Sequence, residues 1–186
     1  NFITNYSSEN WGSITSISIS KFGDIKMGEN RDHGFNNWGL TPLYSENSRY
    51  SYYSEPSSNP NENIQKNTGY SQVDLFQKFL VKLGDTNLLN INIQFSESSD
   101  IDRFDQLSIT KGNSLKFSEW YYGPQKRLLI SPSLKIFPNR KFMKKGVITF
   151  GFQKINESRI KRKFNALNRS HQIEDLKVFS LNGDFD

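Results

Sequence analysis

Two histidines, an acidic cluster, an aromatic triplet and a basic run are where this chain could do chemistry. His33 follows Asp32 and lies near Arg31. An exposed imidazole there could ligate haem iron or dock a porphyrin, although a loop histidine making surface hydrogen bonds is the plainer reading. His171 stands in a charged stretch with no second ligand near it in sequence. Glu97, Asp100, Asp102 and Asp105 gather around Arg103. Close carboxylates could hold Ca²⁺, but the glycine and spacing of an EF-hand are missing, so a solvated acidic loop is the simpler expectation. As a catalytic acid and base they would need burial to raise one pKa, and no neighbouring sequence supplies it.

Trp120, Tyr121 and Tyr122 stand just before Gly123-Pro124. Aromatics at such a point suit a girdle at a membrane interface, and secondarily a platform for stacking a ligand. Arg159, Lys161, Arg162 and Lys163 could bind lipopolysaccharide phosphates or attract an anionic chelate, or belong to a rim salt-bridge network with nearby acids. There is no Ser/His/Asp order, no phosphate-cradling glycine loop and no paired metal ligands. The chain has no cysteine, which excludes disulfides and thiolate metal sites. The expectation is a binding protein rather than an enzyme, without cofactor or metal. Its candidate ligand contacts are Asp32, His33, Arg103, Trp120, Tyr121 and Tyr122.

The elements that must carry these residues are strands. Only 34% of the 186 residues are hydrophobic but 14% are aromatic, and Phe, Tyr, Ile and Thr suit a pleated surface. The net charge of +5 is spread along the chain except at Lys161, Arg162 and Lys163, so a nucleic-acid partner is not expected. No apolar run is long enough for a membrane-spanning helix. The chain opens at Asn1 without a signal peptide, which suggests a mature or cut segment. Freedom from cysteine suits a protein that crosses an oxidising periplasm.

Between Tyr70 and Leu83, Val73, Leu75, Gln77, Phe79, Val81 and Leu83 alternate with Gln72, Asp74, Lys78 and Lys82. Period-two alternation predicts a strand with one apolar face. Gly84, Asp85, Thr86 and Asn87 supply a tight turn. Leu89, Ile91, Ile93 and Phe95 then alternate with Asn90, Asn92, Gln94 and Ser96. Similar runs hold Ile17 and Ile19; Leu128, Ile130, Leu134 and Ile136; Ile148, Phe150 and Phe152; and Phe179, Leu181 and Phe185. With a further strand at the start, this makes about seven strands.

The expected connections alternate in length. Short ones fall near residues 8–10, 84–87 and 138–145, and long polar ones near 23–68, 97–116 and 156–173. In an up-and-down meander this puts every tight turn at one end and every long loop at the other, as in outer-membrane barrels. The first long loop, about 45 residues, is unusual inside a compact domain; its tyrosines and Trp38 favour a partly ordered binding loop over a linker. A soluble β-sandwich also alternates, but its solvent face is usually charged, whereas here Ser, Asn, Gln and Thr predominate as in a wet lumen. Two residues break the apolar face, Gln77 and Lys154, and both are expected near an interface, where the cost is small.

The stretches SKFGDIKMGENRDHG, NTGYSQVDLFQKF, EWYYGPQKRLLIS, ESRIKRKF and VFSLNGDF resemble the β-barrel portion of TonB-dependent outer-membrane receptors, especially those of Bacteroidetes-type bacteria. The resemblance runs through nearly the whole chain in one order. It implies an all-β, antiparallel transmembrane barrel of about 22 strands, of which this chain would be an internal slice. It also implies location in the bacterial outer membrane and contact with its lipid. The partners it implies are the plug domain of the same receptor, the TonB complex, and an iron chelate or haem as ligand. Neither a plug nor a TonB box is present in these residues.

Overall fold

The computed structural model describes residues 1–32, 34–138 and 140–186. It is all-β, with 60% of residues in strands and 2% in helix, so one sheet dictates where every side chain can sit. Nine strands form that sheet: β1 (Phe2–Ser7), β2 (Trp11–Phe22), β3 (Tyr70–Leu83), β4 (Asn87–Ser98), β5 (Ile101–Asp102), β6 (Phe117–Tyr122), β7 (Lys126–Ile136), β8 (Gly146–Lys163) and β9 (Ser170–Phe185).

All pairings in the sheet are antiparallel. β4 and β5 are successive pieces of one path, and so are β6 and β7. β7 pairs with β4 and β6 with β5, while both pair with the same edge of β8. The sheet is therefore a seven-path meander in sequence order. It is open: among the described residues β1 and β9 each have a partner on one side only.

Gly123 permits the break between β6 and β7. Its N–H donates to the Ser158 carbonyl at 3.0 Å, and a Cβ there would lie 2.2 Å from the Ser158 hydroxyl. Gly69, at the entrance to β3, lies against a backbone, since a Cβ there would meet the Phe22 carbonyl oxygen at 2.9 Å.

Cross-strand register turns the alternation into rows. Thr4, Thr15, Gln77, Ile93, Ile130, Phe152 and Phe179 lie side by side, as do Phe2, Ile17, Leu75, Phe95, Leu128, Lys154 and Lys177. Val81, Leu89, Leu134 and Ile148 form a third row, with Trp11 opposite Val81. These rows make one apolar face. From Val73 to Leu83 it runs roughly 33 Å along the strand at about 3.3 Å per residue, or roughly 25 Å in height after a tilt of about 40°. Among the described residues no second sheet or helix packs over it. Ile19 is 73% exposed, Leu181 74% and Phe179 65%.

The opposite face is mixed: Ser16, Asp74, Asn92, Gln94, Ser96, Arg127, Ser131 and Gln153 share it with Ile14, Phe76, Leu80, Leu129 and Ile155. Its polar groups bond along the surface. Gln72 donates to Asp74 at 2.8 Å, and Gln153, with its amide oxygen turned to Arg127, accepts from that guanidinium at 2.7 and 3.2 Å.

Gln77 is not at the rim of the apolar face but within it, in the row of Ile93 and Ile130. What makes it tolerable is a partner: the Thr15 hydroxyl donates to its side-chain oxygen, so that acceptor is not left bare. Lys154 does lie at the loop end of the face, opposite Leu128 on one side and Lys177 on the other.

Two of the expected loops need correction. Residues 156–173 are mostly strand: β8 continues to Lys163, β9 starts at Ser170, and only residues 164–169 connect them. Charge on both faces disguises this stretch, yet its backbone is paired on both edges, with β6 and β9. Residues 97–116 are likewise structured, with the end of β4, β5, the short helix α1 (Phe104–Leu107) and a hairpin of Thr110–Lys111 with Ser114–Leu115. The first loop is folded as well. Ile25–Lys26 pairs with Ile64–Gln65, and Leu43–Tyr44 with Ser57–Ser58.

Candidate functional site

The best-buried part of the molecule lies at the loop end, beyond the apolar rows, where β5, β6 and β8 extend past the sheet's centre and the first loop folds onto them. Leu107, Leu115, Phe117, Tyr121 and Ile160 are buried there, together with Ser45, Ser118, Glu119 and Arg162. Alternation sorts the extensions into two sides. On the unbroken β8–β9 ladder, Ile160 and Arg162 continue the side of Phe152, and Tyr121 and Glu119 stand opposite them. Arg159 and Lys161 continue the side of Gln153, and Tyr122 and Trp120 stand opposite those.

The first side holds a buried ion cluster. Glu119, 1% exposed, accepts from Arg162 at 2.9 Å and from Arg169 at 2.9 and 2.6 Å. These cations fasten the first loop. Arg162 also donates to Asn47 at 3.2 Å, Arg169 to the Ser48 carbonyl at 3.2 Å, and the Arg162 guanidinium lies 4.5 Å from the centre of the Tyr52 ring. The Ser45 hydroxyl donates to the Ser118 carbonyl. Asn47 closes a turn by accepting from the Tyr53 N–H at 2.7 Å. Asp102, opposite Tyr121, is pushed up to about 7 by burial first, then by the charges of Asp100, Asp24 and Glu119. Burial also raises Asp100 and Tyr121. The like charges around Asp102 favour its neutral form.

The second side is aromatic and cationic. Arg103, just before α1, grips Asp105 with two nitrogens at 2.8 and 2.7 Å and donates to the Tyr122 hydroxyl at 2.8 Å. The hydrogen bonds to Asp105 hold the Arg103 guanidinium well above its ordinary pKa and the Asp105 carboxyl well below the usual carboxylate range. The Arg103 guanidinium lies 6.0 Å from the Trp120 ring and 5.5 Å from the Tyr122 ring. Arg159 approaches Tyr122 at 5.8 Å and Lys161 approaches Trp120 at 5.5 Å.

Of the six residues singled out from sequence, the fold brings Arg103, Trp120 and Tyr122 together. Tyr121 turns to the opposite side and is buried, so it packs the cap rather than meeting a ligand or forming a girdle. Asp32 is exposed in a turn of the first loop. His33 lies outside the described residues. On the apolar face, Tyr6 and Trp11 pair at the short-turn end with ring centres 4.9 Å apart, and Phe152 pairs with Phe179 at 5.0 Å.

Sequence reading missed Glu119, Arg162 and Arg169 as one unit. The available signal was the alternation of Ser158, Ile160 and Arg162 against Arg159, Lys161 and Lys163, which marks a strand through the charged run. Among the described residues no group of His, Asp or Glu is arranged to hold a metal ion, and no helix is long and apolar enough to cross a membrane. The arrangement can hold an anionic or aromatic ligand against a cation-flanked wall. No protein-family model, no curated protein and no solved structure matches this chain.

Proposed function

We propose that this chain is part of the wall of a TonB-dependent receptor, a segment of a transmembrane β-barrel in the bacterial outer membrane that serves uptake of a scarce, bulky solute. One observation carries the reading: an apolar face about as tall as a bilayer's hydrocarbon core over which, among the described residues, no second layer packs. Water-soluble proteins rarely expose so large a patch, whereas lipid is its natural solvent. Three further features support it. Tight turns gather at one end, the folded loops at the other, and the free edges of β1 and β9 leave room for further strands to close the wall.

On this reading the polar face looks into the lumen and packs against the receptor's plug, which TonB displaces. Arg103, Trp120 and Tyr122 look into the outer vestibule, where an iron chelate or haem, the cargo the family resemblance implies, is captured. The work is capture and passage, with no bond made or broken.

A strain deleted for the gene, grown on haem or on single ferric siderophores as the only iron source, tests this. Growth is expected to fail on one source, to return with the wild-type gene, and to return poorly with Arg103→Ala plus Trp120→Ala. Unimpaired growth on every source would overturn the cargo assignment.

A water-soluble adhesion or carbohydrate-binding sheet is the second reading. It draws on the first loop, which covers the strand extensions on the same side as the apolar face. That cover stops at the cap, so a soluble protein would still need something over the remaining rows.

A further inference from the structure

Where the 164–169 turn meets the ends of β6 and β8 there is an open hollow of about 390 Å³, walled by Lys116, Phe117, Trp120, Lys161, Lys163 and Ser170. Phe117 and Trp120 meet edge to face with ring centres 4.6 Å apart. Lys116 lies 5.0 Å from the Phe117 ring centre and Lys161 lies 5.5 Å from that of Trp120. No carboxylate lines the hollow. Among the described residues none of its three lysines forms an ion pair, whereas Arg103, Arg159, Arg162 and Arg169 each have a carboxylate partner. Lys116 and Lys161 are held against aromatic rings, and all three lysines remain un-neutralised.

We propose that this hollow binds a sugar carrying a phosphate or sulfate monoester, its tetrahedral anion on Lys161, Lys163 and Lys116 and its ring against Trp120, which the buried Phe117 holds in place. The hollow has the size of a small-ligand site. Flexible ammonium groups take a tetrahedral anion as point charges, while a planar carboxylate is better matched by an arginine fork; the one arginine at the wall, Arg162, is committed to Glu119. The inference goes beyond the transport reading and does not need the sheet to be in lipid, so either can fail without the other.

Calorimetry on the purified chain, with glucose 6-phosphate, glucose 6-sulfate, glucose and inorganic phosphate as probes, tests it. Saturable binding of one or both esters is expected, with none for glucose. Lys161→Gln with Lys163→Gln should weaken the ester by at least about tenfold. Both lysines are exposed, so the fold should survive, checked by circular dichroism. Lys141→Gln with Lys144→Gln, the same charge change in the opposite turn, should leave the ester's affinity unaltered. Trp120→Leu should weaken the ester but not inorganic phosphate. Absence of saturable ester binding, equal loss in both double variants, or inorganic phosphate binding as tightly as the ester would overturn the proposal.

Discussion

Asp102 is the residue whose behaviour the surrounding charges make most distinctive. Its folded-state pKa of about 7 stands above the ordinary 3.8, so folding favours the protonated form. Below the ordinary value both folded and unfolded chains hold the proton and nothing is lost. As pH rises towards 7 the unfolded chain releases it more readily, and stability drains from the cap. Asp102→Asn should therefore raise the melting temperature at about pH 8 and leave it nearly unchanged at about pH 4. An equal effect at both pH values would mean that the carboxyl titrates normally. Glu119 is set by its partners. Two arginines neutralise it, and removing its charge would leave Arg162, 7% exposed, without its counter-ion. Neither role was legible in the sequence, because partners 43 and 50 residues apart meet only after the strands have paired. The aromatic triplet was legible as a feature. Its division, with Tyr121 buried on the side of the apolar face and Trp120 and Tyr122 on the other side, followed only once β6 was known to be a strand.

At the scale of elements, the β3–β4 hairpin was the most readable part. Alternation around Gly84, which takes a positive φ of 66°, matches the observed register from Gln72–Ser98 to Leu83–Asn87. The strand extensions at 156–163 read as loop, because charge on both faces masks the apolar–polar contrast that marks a half-buried strand. Register also decides what a substitution does. Ile91 and Asn92 are neighbours on β4, but Ile91 belongs with Phe79 on the apolar face and Asn92 with Lys78 on the polar one. If the apolar face lies in lipid, Ile91→Arg should destabilise the membrane-inserted protein by about 2–4 kcal/mol. Asn92→Arg should cost far less, as measured by denaturant titration in bilayers. Equal costs at the two positions would remove the distinction between the faces.

For the whole molecule, the question is which solvent the apolar rows meet. An antiparallel all-β meander was legible from alternation, whereas the expected sorting of connections by length was not kept, since residues 164–169 make a shorter connection than residues 137–145. Closure was not, because both edges of the sheet stay free among the described residues and no local pattern specifies a distant edge partner. The chain has no native cysteine, so single-cysteine spin labels report one position each. Labels at Ile93, Ile130 and Phe152 sample one row of the apolar face, and labels at Gln94, Ser131 and Gln153 sample the other face. With the protein reconstituted in bilayers, collision rates with oxygen and with a water-soluble nickel chelate measure the surroundings of each label. The first three should collide freely with oxygen and be shielded from nickel, with the reverse pattern at the other three. Nickel accessibility at Ile93, Ile130 and Phe152 equal to that of their neighbours would contradict a lipid-facing wall.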